Sequence, residues 1–216
     1  MAEGALTPDR ALALTHFPQA VRPAVEAVLR LDATLAEVVA DTTEPAVGAI
    51  RLAWWREALE RLDTAPAPAE PRLAAIADHV LPRGVTGAML SEIEDGYAAL
   101  LDQQLDPDRV GQGGSALFNA IATLLRADDP YLAPAGALAM LARVRGLTPE
   151  EVKPTALAKM RELKGHRFAR ALRPLTNLAR LAARDFLRNE PEPEATPGRA
   201  FAMLSHRLSG KVTGAN

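Results

Sequence analysis

Two pairs of carboxylates have a spacing that could hold a divalent cation. Glu37 and Asp41 stand four residues apart, as do Asp102 and Asp106. On a helix, residues four apart share one face, with Cβ atoms about 5–6 Å apart, and Mg²⁺ prefers carboxylate oxygens together with phosphate and water. Because Pro107 follows Asp106 directly, a helix end is expected there. Glu37 and Asp41 are therefore the candidate metal ligands, and the alternative is an ordinary pair of surface acids.

The two tryptophans of the chain are adjacent and lie between two arginines. The segment GAIRLAWWREALERL (48–62) places Trp54 and Trp55 between Arg51 and Arg56. Arg51 and Trp55 are four residues apart on a predicted helix, so the guanidinium group could stack on the indole ring. The alternative is a core helix in which the tryptophans fill volume and the arginines pair with nearby glutamates.

Arginines recur along one face of a predicted helix in the last third of the chain. Such a face could meet diphosphates, an acidic lipid surface or an acidic protein partner. The alternative is a solvated helix face whose charge is offset by the acidic segment 92–108. Pro174 predicts a kink or a junction near the start of this helix. The arginines of this basic stripe are Arg170, Arg173, Arg180, Arg184 and Arg188.

Other catalytic signatures are absent from the sequence. The four histidines show no metal-ligand spacing, and there is neither a GxSxG motif nor a P-loop. With no cysteine, thiolate metal sites and cysteine nucleophiles are excluded. The glycine-rich segment GQGGS (111–115) could present backbone N–H groups to an anion. A flexible connector that ends at an N-cap Ser115 is the simpler interpretation.

The elements that position these residues are predicted to be helices throughout. Aromatic residues make up only 4% of the 216 residues, β-branched residues are few, and alanine and leucine, both strong helix formers, are abundant. We therefore expect an all-α, single-domain helical bundle of seven to nine helices over residues 1–216. A first long helix follows Pro23, and further helices are predicted at about 45–63, 70–80, 86–105, 114–127, 131–145, 154–189 and 197–209.

Charge and hydropathy narrow the class of protein. A formal net charge of -2 and a pI near 6.1 argue against a general nucleic-acid binder. The N-terminus does not have the pattern of a signal peptide. No segment approaches the roughly 20 apolar residues needed to cross a bilayer. The chain is expected to be cytoplasmic, with peripheral attachment to a membrane as an open alternative.

Read in order, these segments resemble the squalene/phytoene synthase family. AVEAVLRLDATLAEVV (24–39) and TTEPAVGAIRLAWWREALERL (42–62) are similar to the first long helix of that family, its Glu-Pro loop and its tryptophan-bearing helix. GSALFNAIATLLRADDPYLAPAGALAMLARV (114–144) is similar to its glycine-containing helix pair, and TPGRAFAMLSHRLSGKV (196–212) to the C-terminal segment of one bacterial branch. The resemblance implies an isoprenoid-synthase fold. It also implies head-to-head condensation of prenyl diphosphates, with Mg²⁺ held by two DxxxD motifs.

The first of these motifs is altered in this chain. A gapless match places Ala36 and Ala40 at the aspartate positions. A shift by one residue places Glu37 and Asp41 there instead, which is a conservative ExxxD. The resemblance therefore implies at most a vestigial first metal site.

The second motif is missing. The resemblance places Val144 and Thr148 at its aspartate positions, and no acid lies between Ala133 and Leu147. Loss of both carboxylates of one Mg²⁺ site should cost several kcal/mol of transition-state stabilisation, roughly 10³-fold or more in rate. We therefore predict a degenerate member that keeps the fold but not the condensation chemistry.

Two functions follow from the resemblance. The first is a non-catalytic binding or assembly module similar to assembly-factor-like members of the family for respiratory complex I, with a cavity for a prenyl diphosphate or another apolar ligand. The second is an active prenyl-diphosphate transferase of isoprenoid biosynthesis, in which Glu37 and Asp41 bind Mg²⁺ and Arg51, Trp55 and Arg56 contact the substrate and its diphosphate. The basic stripe adds a protein partner or a peripheral membrane contact as a third possibility.

Overall fold

The chain folds into helices joined by short connections. A computed structural model describes residues 4–146, 149–188, 190 and 192–213, and in these ranges it has ten α-helices and no strand. The all-α prediction is confirmed. The helices are α1 (Pro8–Thr15), α2 (Arg22–Ala40), α3 (Pro45–Arg61), α4 (Pro71–His79), α5 (Gly87–Ala98), α6 (Pro107–Leu124), α7 (Leu132–Val144), α8 (Pro149–Glu162), α9 (Arg173–Phe186) and α10 (Pro197–Ser209).

Proline and capping residues set most helix starts. Pro45, Pro71, Pro107 and Pro197 each occupy the first turn of a helix, where the missing N–H group is not needed. Thr196 caps α10 by accepting a hydrogen bond from the backbone N–H of Arg199 at 3.3 Å. Glu70, Thr86 and Asp106 cap α4, α5 and α6 in the same way.

Helix α6 lies at the centre of the packing. It packs between α5 and α7, α9 packs on α7, and α2 contacts α4, α5 and α6. On the outside, α3 covers α5, α8 covers α7, and α1 and α10 both rest on α9. One large apolar cluster runs through the inner helices, and a small separate cluster joins α1, α9 and α10.

The glycine-rich segment 111–115 is helical, so the predicted connector there is wrong. Helix α6 begins at Pro107, and its glycines face the neighbouring helices. A Cβ atom on Gly113 would lie 2.8 Å from the Cα atom of Gly96 in α5, and one on Gly114 would lie 2.3 Å from the carbonyl oxygen of Gly136 in α7. These glycines therefore serve close helix packing and do not form an anion-binding loop.

The predicted long helix over 154–189 is two helices. Helix α8 ends at Glu162, and α9 begins at Arg173 with Pro174 in its first turn. Gly165, with φ of +82°, lies in the intervening segment. The junction predicted at Pro174 is confirmed. Helix α1 was missed, because its eight residues are too few for a clear apolar periodicity.

Candidate functional site

A cavity of about 690 Å³ opens between the inner helices and α1. Its apolar wall is built by α2, α6, α7 and α9. Helix α1 and the segment before α10 contribute charged side chains. Such a mixture of an apolar wall and a few polar groups is typical of a small-molecule site. Apolar residues of the wall include Ala36, Leu117, Phe118, Ala139, Met140 and Leu181.

The residues at the first-motif positions differ in where they point. Ala36 and Ala40 line the cavity. Glu37, one residue further along the helix, accepts a hydrogen bond from the backbone N–H of Gly4 at 2.7 Å, and the exposed Asp41 ends α2. Neither acid is among the residues that line the cavity. One residue corresponds to about 100° of rotation on a helix, so the gapless match is the one that faces the cavity.

The second motif is apolar where the structure describes it. Val144, at the end of α7, lines the cavity together with Met140 one turn earlier. Thr148 lies outside the described residues. The α7 wall therefore offers no carboxylate between Leu132 and Val144.

A buried carboxylate lies behind the cavity wall. Asp32 of α2 is fully buried and forms an ion pair with Arg10 of α1. Oδ1 of Asp32 accepts a hydrogen bond from the Tyr97 hydroxyl at 2.7 Å. Nε of Arg143 lies 3.7 Å from Oδ2, the oxygen that pairs with Arg10. Arg10, Tyr97 and Arg143 line the cavity, whereas Asp32 does not. We call these four residues the Asp32 cluster.

Electrostatics keep the Asp32 cluster charged. Burial alone would raise the pKa of Asp32, but Arg10, Arg143 and the Tyr97 hydroxyl together hold it below its usual value. Burial raises the pKa of Tyr97, so its hydroxyl stays protonated and remains a donor. The cluster therefore ties α1, α2, α5 and α7 together around an ionised carboxylate.

A second charged group joins α1, α9 and α10 beside the cavity. Arg199 donates to Asp9 at 2.5 Å and to Asp185 at 2.6 Å. The backbone N–H of Asp9 donates to Glu194, and Glu192 accepts from Arg184 at 2.8 Å. The four carboxylates beside this part of the cavity, those of Asp9, Asp185, Glu192 and Glu194, are thus already bound to a guanidinium or a backbone N–H group.

The helix with the two tryptophans faces away from this cavity. Arg56 pairs with Glu94 and Asp95 of α5 at 2.6 and 3.3 Å, and Arg51 is exposed. Trp55 is buried beneath the guanidinium of Arg72, 5.9 Å from the ring centroid. None of Arg51, Trp55 and Arg56 lines the cavity, and the structure does not bring them together with Glu37 and Asp41.

Most of the basic stripe is engaged within the protein. Arg173 donates to the carbonyl oxygens of Phe168, Arg207 and Leu208, and Arg180 donates to that of Val212. Arg184 and Arg188 pair with Glu192. Arg170 is exposed in the turn before α9. Helix α10 and the segment after it therefore cover the part of the stripe that lies on α9.

The donor set does not fit a magnesium–diphosphate site. Within the described ranges, no three His, Asp or Glu side chains are placed to hold a metal ion together. Alanine and valine side chains at Ala36, Ala40 and Val144 supply no oxygen ligand, whereas Mg²⁺ needs carboxylate oxygens. What the cavity can do chemically is bind an apolar molecule beside a few fixed polar groups.

Sequence reasoning missed the Asp32 cluster. Its members come from four helices, so no local spacing unites them. One signal was present, because Asp32 falls on the face of α2 that also carries Val28, Leu31 and Leu35, all fully buried. An acid on such a face must have a partner.

Comparison with known proteins supports the resemblance to the squalene/phytoene synthase family. Residues 7–110 match the family model for squalene/phytoene synthase. The match runs from α1 into the start of α6 and includes the first-motif positions on α2, but it ends before α7. No match is found among curated proteins or among solved structures.

Proposed function

We propose that this squalene/phytoene synthase-like protein is a non-catalytic binding module. Its cavity would hold an apolar ligand, such as a prenyl chain, without Mg²⁺. The observation that carries the proposal is the cavity wall itself. Ala36, Ala40 and Val144 line it at the positions where the resemblance places metal-binding aspartates.

The charges of the site also favour a ligand without a diphosphate. A diphosphate bound without metal needs an excess of positive charge. Among the described residues, three arginines and four carboxylates line the cavity, so the lining has no excess of positive charge to offer. These groups are Arg10, Arg143 and Arg199 against Asp9, Asp185, Glu192 and Glu194.

The wall suits a hydrocarbon chain better than a polar molecule. Leu117 and Phe118 of α6 and Met140 of α7 line the cavity, and burial of a chain against them gains about 25 cal/mol for each Å² of apolar surface. The Tyr97 hydroxyl and Arg143 offer polar contacts for the head of such a ligand. An alcohol could donate to the Tyr97 oxygen, and an alcohol or carbonyl oxygen could accept from Arg143, without adding charge.

An assembly role is the second part of the proposal. It is supported by the resemblance to assembly-factor-like members for respiratory complex I, which keep the Glu-Pro loop and the tryptophan-bearing helix. In this chain, Trp54 and Ile50 of that helix are exposed, which leaves an apolar surface for a protein partner.

A turnover assay tests the non-catalytic proposal. Protein incubated with Mg²⁺ and farnesyl or geranylgeranyl diphosphate should release no diphosphate above a protein-free blank, because the wall lacks the carboxylates that would hold the metal. Release of diphosphate that a Glu37→Ala, Asp41→Ala double variant abolishes would instead establish an active transferase. The matched control is Asp78→Ala with Glu92→Ala, which removes two exposed helical acids that do not line the cavity.

A further inference from the structure

Helix α10 carries apolar residues on two opposite faces. Ala202, Met203 and His206 are buried against the protein. On the outer face, the exposed fractions of Phe201, Leu204 and Leu208 are 71%, 54% and 76%. Their spacing of three and four residues makes one continuous stripe along the helix.

The inner contacts hold this stripe outward. Arg199 binds Asp9 and Asp185, and the His206 ring lies between the Thr176 hydroxyl at 2.8 Å and the Lys211 carbonyl oxygen at 3.0 Å. Rolling the helix to bury Phe201 or Leu208 would break these buried polar contacts, each of which is costly to lose. The outer face therefore stays uncovered within the monomer.

Cations gather at the C-terminal end of the stripe. Arg173 donates to the carbonyl oxygens of Arg207 and Leu208 at 2.8 and 3.1 Å. Arg173 and Arg167 both lie beside Gly210, at the end of α10. Burial lowers the pKa of Arg173, and the nearby charges of Arg170 and Arg167 lower it further. None of these four arginines forms an ion pair with a carboxylate of the described ranges. We call Arg167, Arg170, Arg173 and Arg207 the α10 cation cluster.

We propose that the outer face of α10 binds the surface of a lipid bilayer that contains anionic lipid. Phe201, Leu204 and Leu208 would enter the boundary between headgroups and acyl chains, and the α10 cation cluster would contact the lipid phosphates. An apolar stripe next to arginines that have no carboxylate partner in the described ranges is the pattern of an interfacial helix. None of the described helices is long and apolar enough to cross a membrane, so the contact is with one surface.

The face of α3 shows what distinguishes α10. Val47, Ile50 and Trp54 form a comparable exposed stripe, with exposed fractions of 49%, 71% and 49%. Both Arg51 and Glu57 flank it on the same helix, so it presents no excess of one charge. It provides a matched control for apolar exposure without a cation cluster.

Vesicle flotation tests the proposal on the full chain. We expect binding to vesicles of phosphatidylcholine mixed with phosphatidylglycerol. Binding to phosphatidylcholine alone should be weaker, and added salt should weaken binding to the mixed vesicles. The triple variant of the α10 stripe should lower the partition coefficient by at least about ten-fold; its changes are Phe201→Gln, Leu204→Gln and Leu208→Gln. The matched triple variant of α3 should leave the partition coefficient unchanged; its changes are Val47→Gln, Ile50→Gln and Trp54→Gln.

Variants that remove charge test the proposal independently, even if the apolar variant misfolds. Arg170→Gln with Arg207→Gln changes two exposed side chains and should lower partitioning about five-fold for each cation removed. Arg51→Gln with Arg61→Gln, two exposed arginines of α3, should have no effect. Failure to bind mixed vesicles at low salt would overturn the proposal. An equal loss of vesicle binding in the α3 double variant and in the Arg170→Gln, Arg207→Gln double variant would also overturn it. A dimer that only the α10 apolar variant dissociates would assign the face to a second copy and would also overturn it.

Discussion

Replacement of Asp32 by asparagine should lower the free energy of unfolding by about 3–5 kcal/mol, the range for removal of one partner from a buried ion pair. Asparagine has nearly the same size, so the effect isolates the charge. Arg10 would remain charged and buried, and Arg143 charged and half-buried, beside an uncharged amide. The measurement is urea-induced unfolding followed by circular dichroism at neutral pH.

A surface pair provides the control for this experiment. Glu26 and Arg30 lie four residues apart on the same helix and pair at 2.8 Å, with both side chains more than a third exposed. Glu26→Gln should change the unfolding free energy by no more than about 0.5 kcal/mol. An Asp32→Asn loss as small as the Glu26→Gln loss would show that the Asp32 cluster does not hold α1, α2, α5 and α7 together.

Acidification should destabilise the protein through His206. Burial lowers the pKa of His206 to about 4, with Arg180 and Arg173 acting in the same direction and the Lys211 carbonyl opposing them. The folded pKa is thus below the value of 6.5 for a free imidazole. Between these two values the unfolded chain binds a proton that the folded protein does not. The stability from neutral His206 is therefore present above about pH 6.5 and is lost as pH falls toward 4.

The size of this loss can be measured with a matched variant. A difference of about 2.5 pKa units corresponds to roughly 3 kcal/mol. Between pH 7 and pH 4, His206→Gln should lose about that much less stability than the wild-type chain, although it starts lower because its buried contacts change. His79→Gln, which removes an exposed imidazole, is the control. Parallel pH profiles for wild type and His206→Gln would contradict the account of how α10 is anchored.

The helices were largely predictable because their signals are local. Apolar spacing and first-turn prolines placed α2, α3, α4, α7 and α10 within a few residues of their observed bounds. The start of α6 was missed because glycine disfavours helix on propensity alone. Only contact with Gly96 and Gly136 explains why glycine is required at Gly113 and Gly114. At these glycines, packing between helices outweighs the low helix propensity of the residue.

The candidate site was predictable on its apolar side and not on its charged side. The resemblance places Ala36, Ala40 and Val144 at motif positions, and these residues line the cavity. The candidate metal ligands named from the sequence, Glu37 and Asp41, do not line it. Partners of Asp32 lie 22 and 111 positions away along the chain, at Arg10 and Arg143. Such pairings depend on how the helices pack against each other. The spacing of apolar residues along one helix does not predict that packing. The basic stripe was likewise visible as a pattern, but its cover by α10 was not.

Ligand binding with and without Mg²⁺ tests the central claim most directly. We predict that a non-hydrolysable geranylgeranyl diphosphate analogue binds equally well in Mg²⁺ and in EDTA by isothermal titration calorimetry, and that the uncharged alcohol binds within a few-fold of it. Ala36→Phe, which fills the cavity, should weaken binding, whereas Ala53→Phe on the exposed side of α3 should not. Binding strengthened by Mg²⁺ by about ten-fold or more, equivalent to 1.4 kcal/mol, and lost in Glu37→Ala, Asp41→Ala would contradict the claim. Absence of binding by both the analogue and the alcohol would contradict it equally.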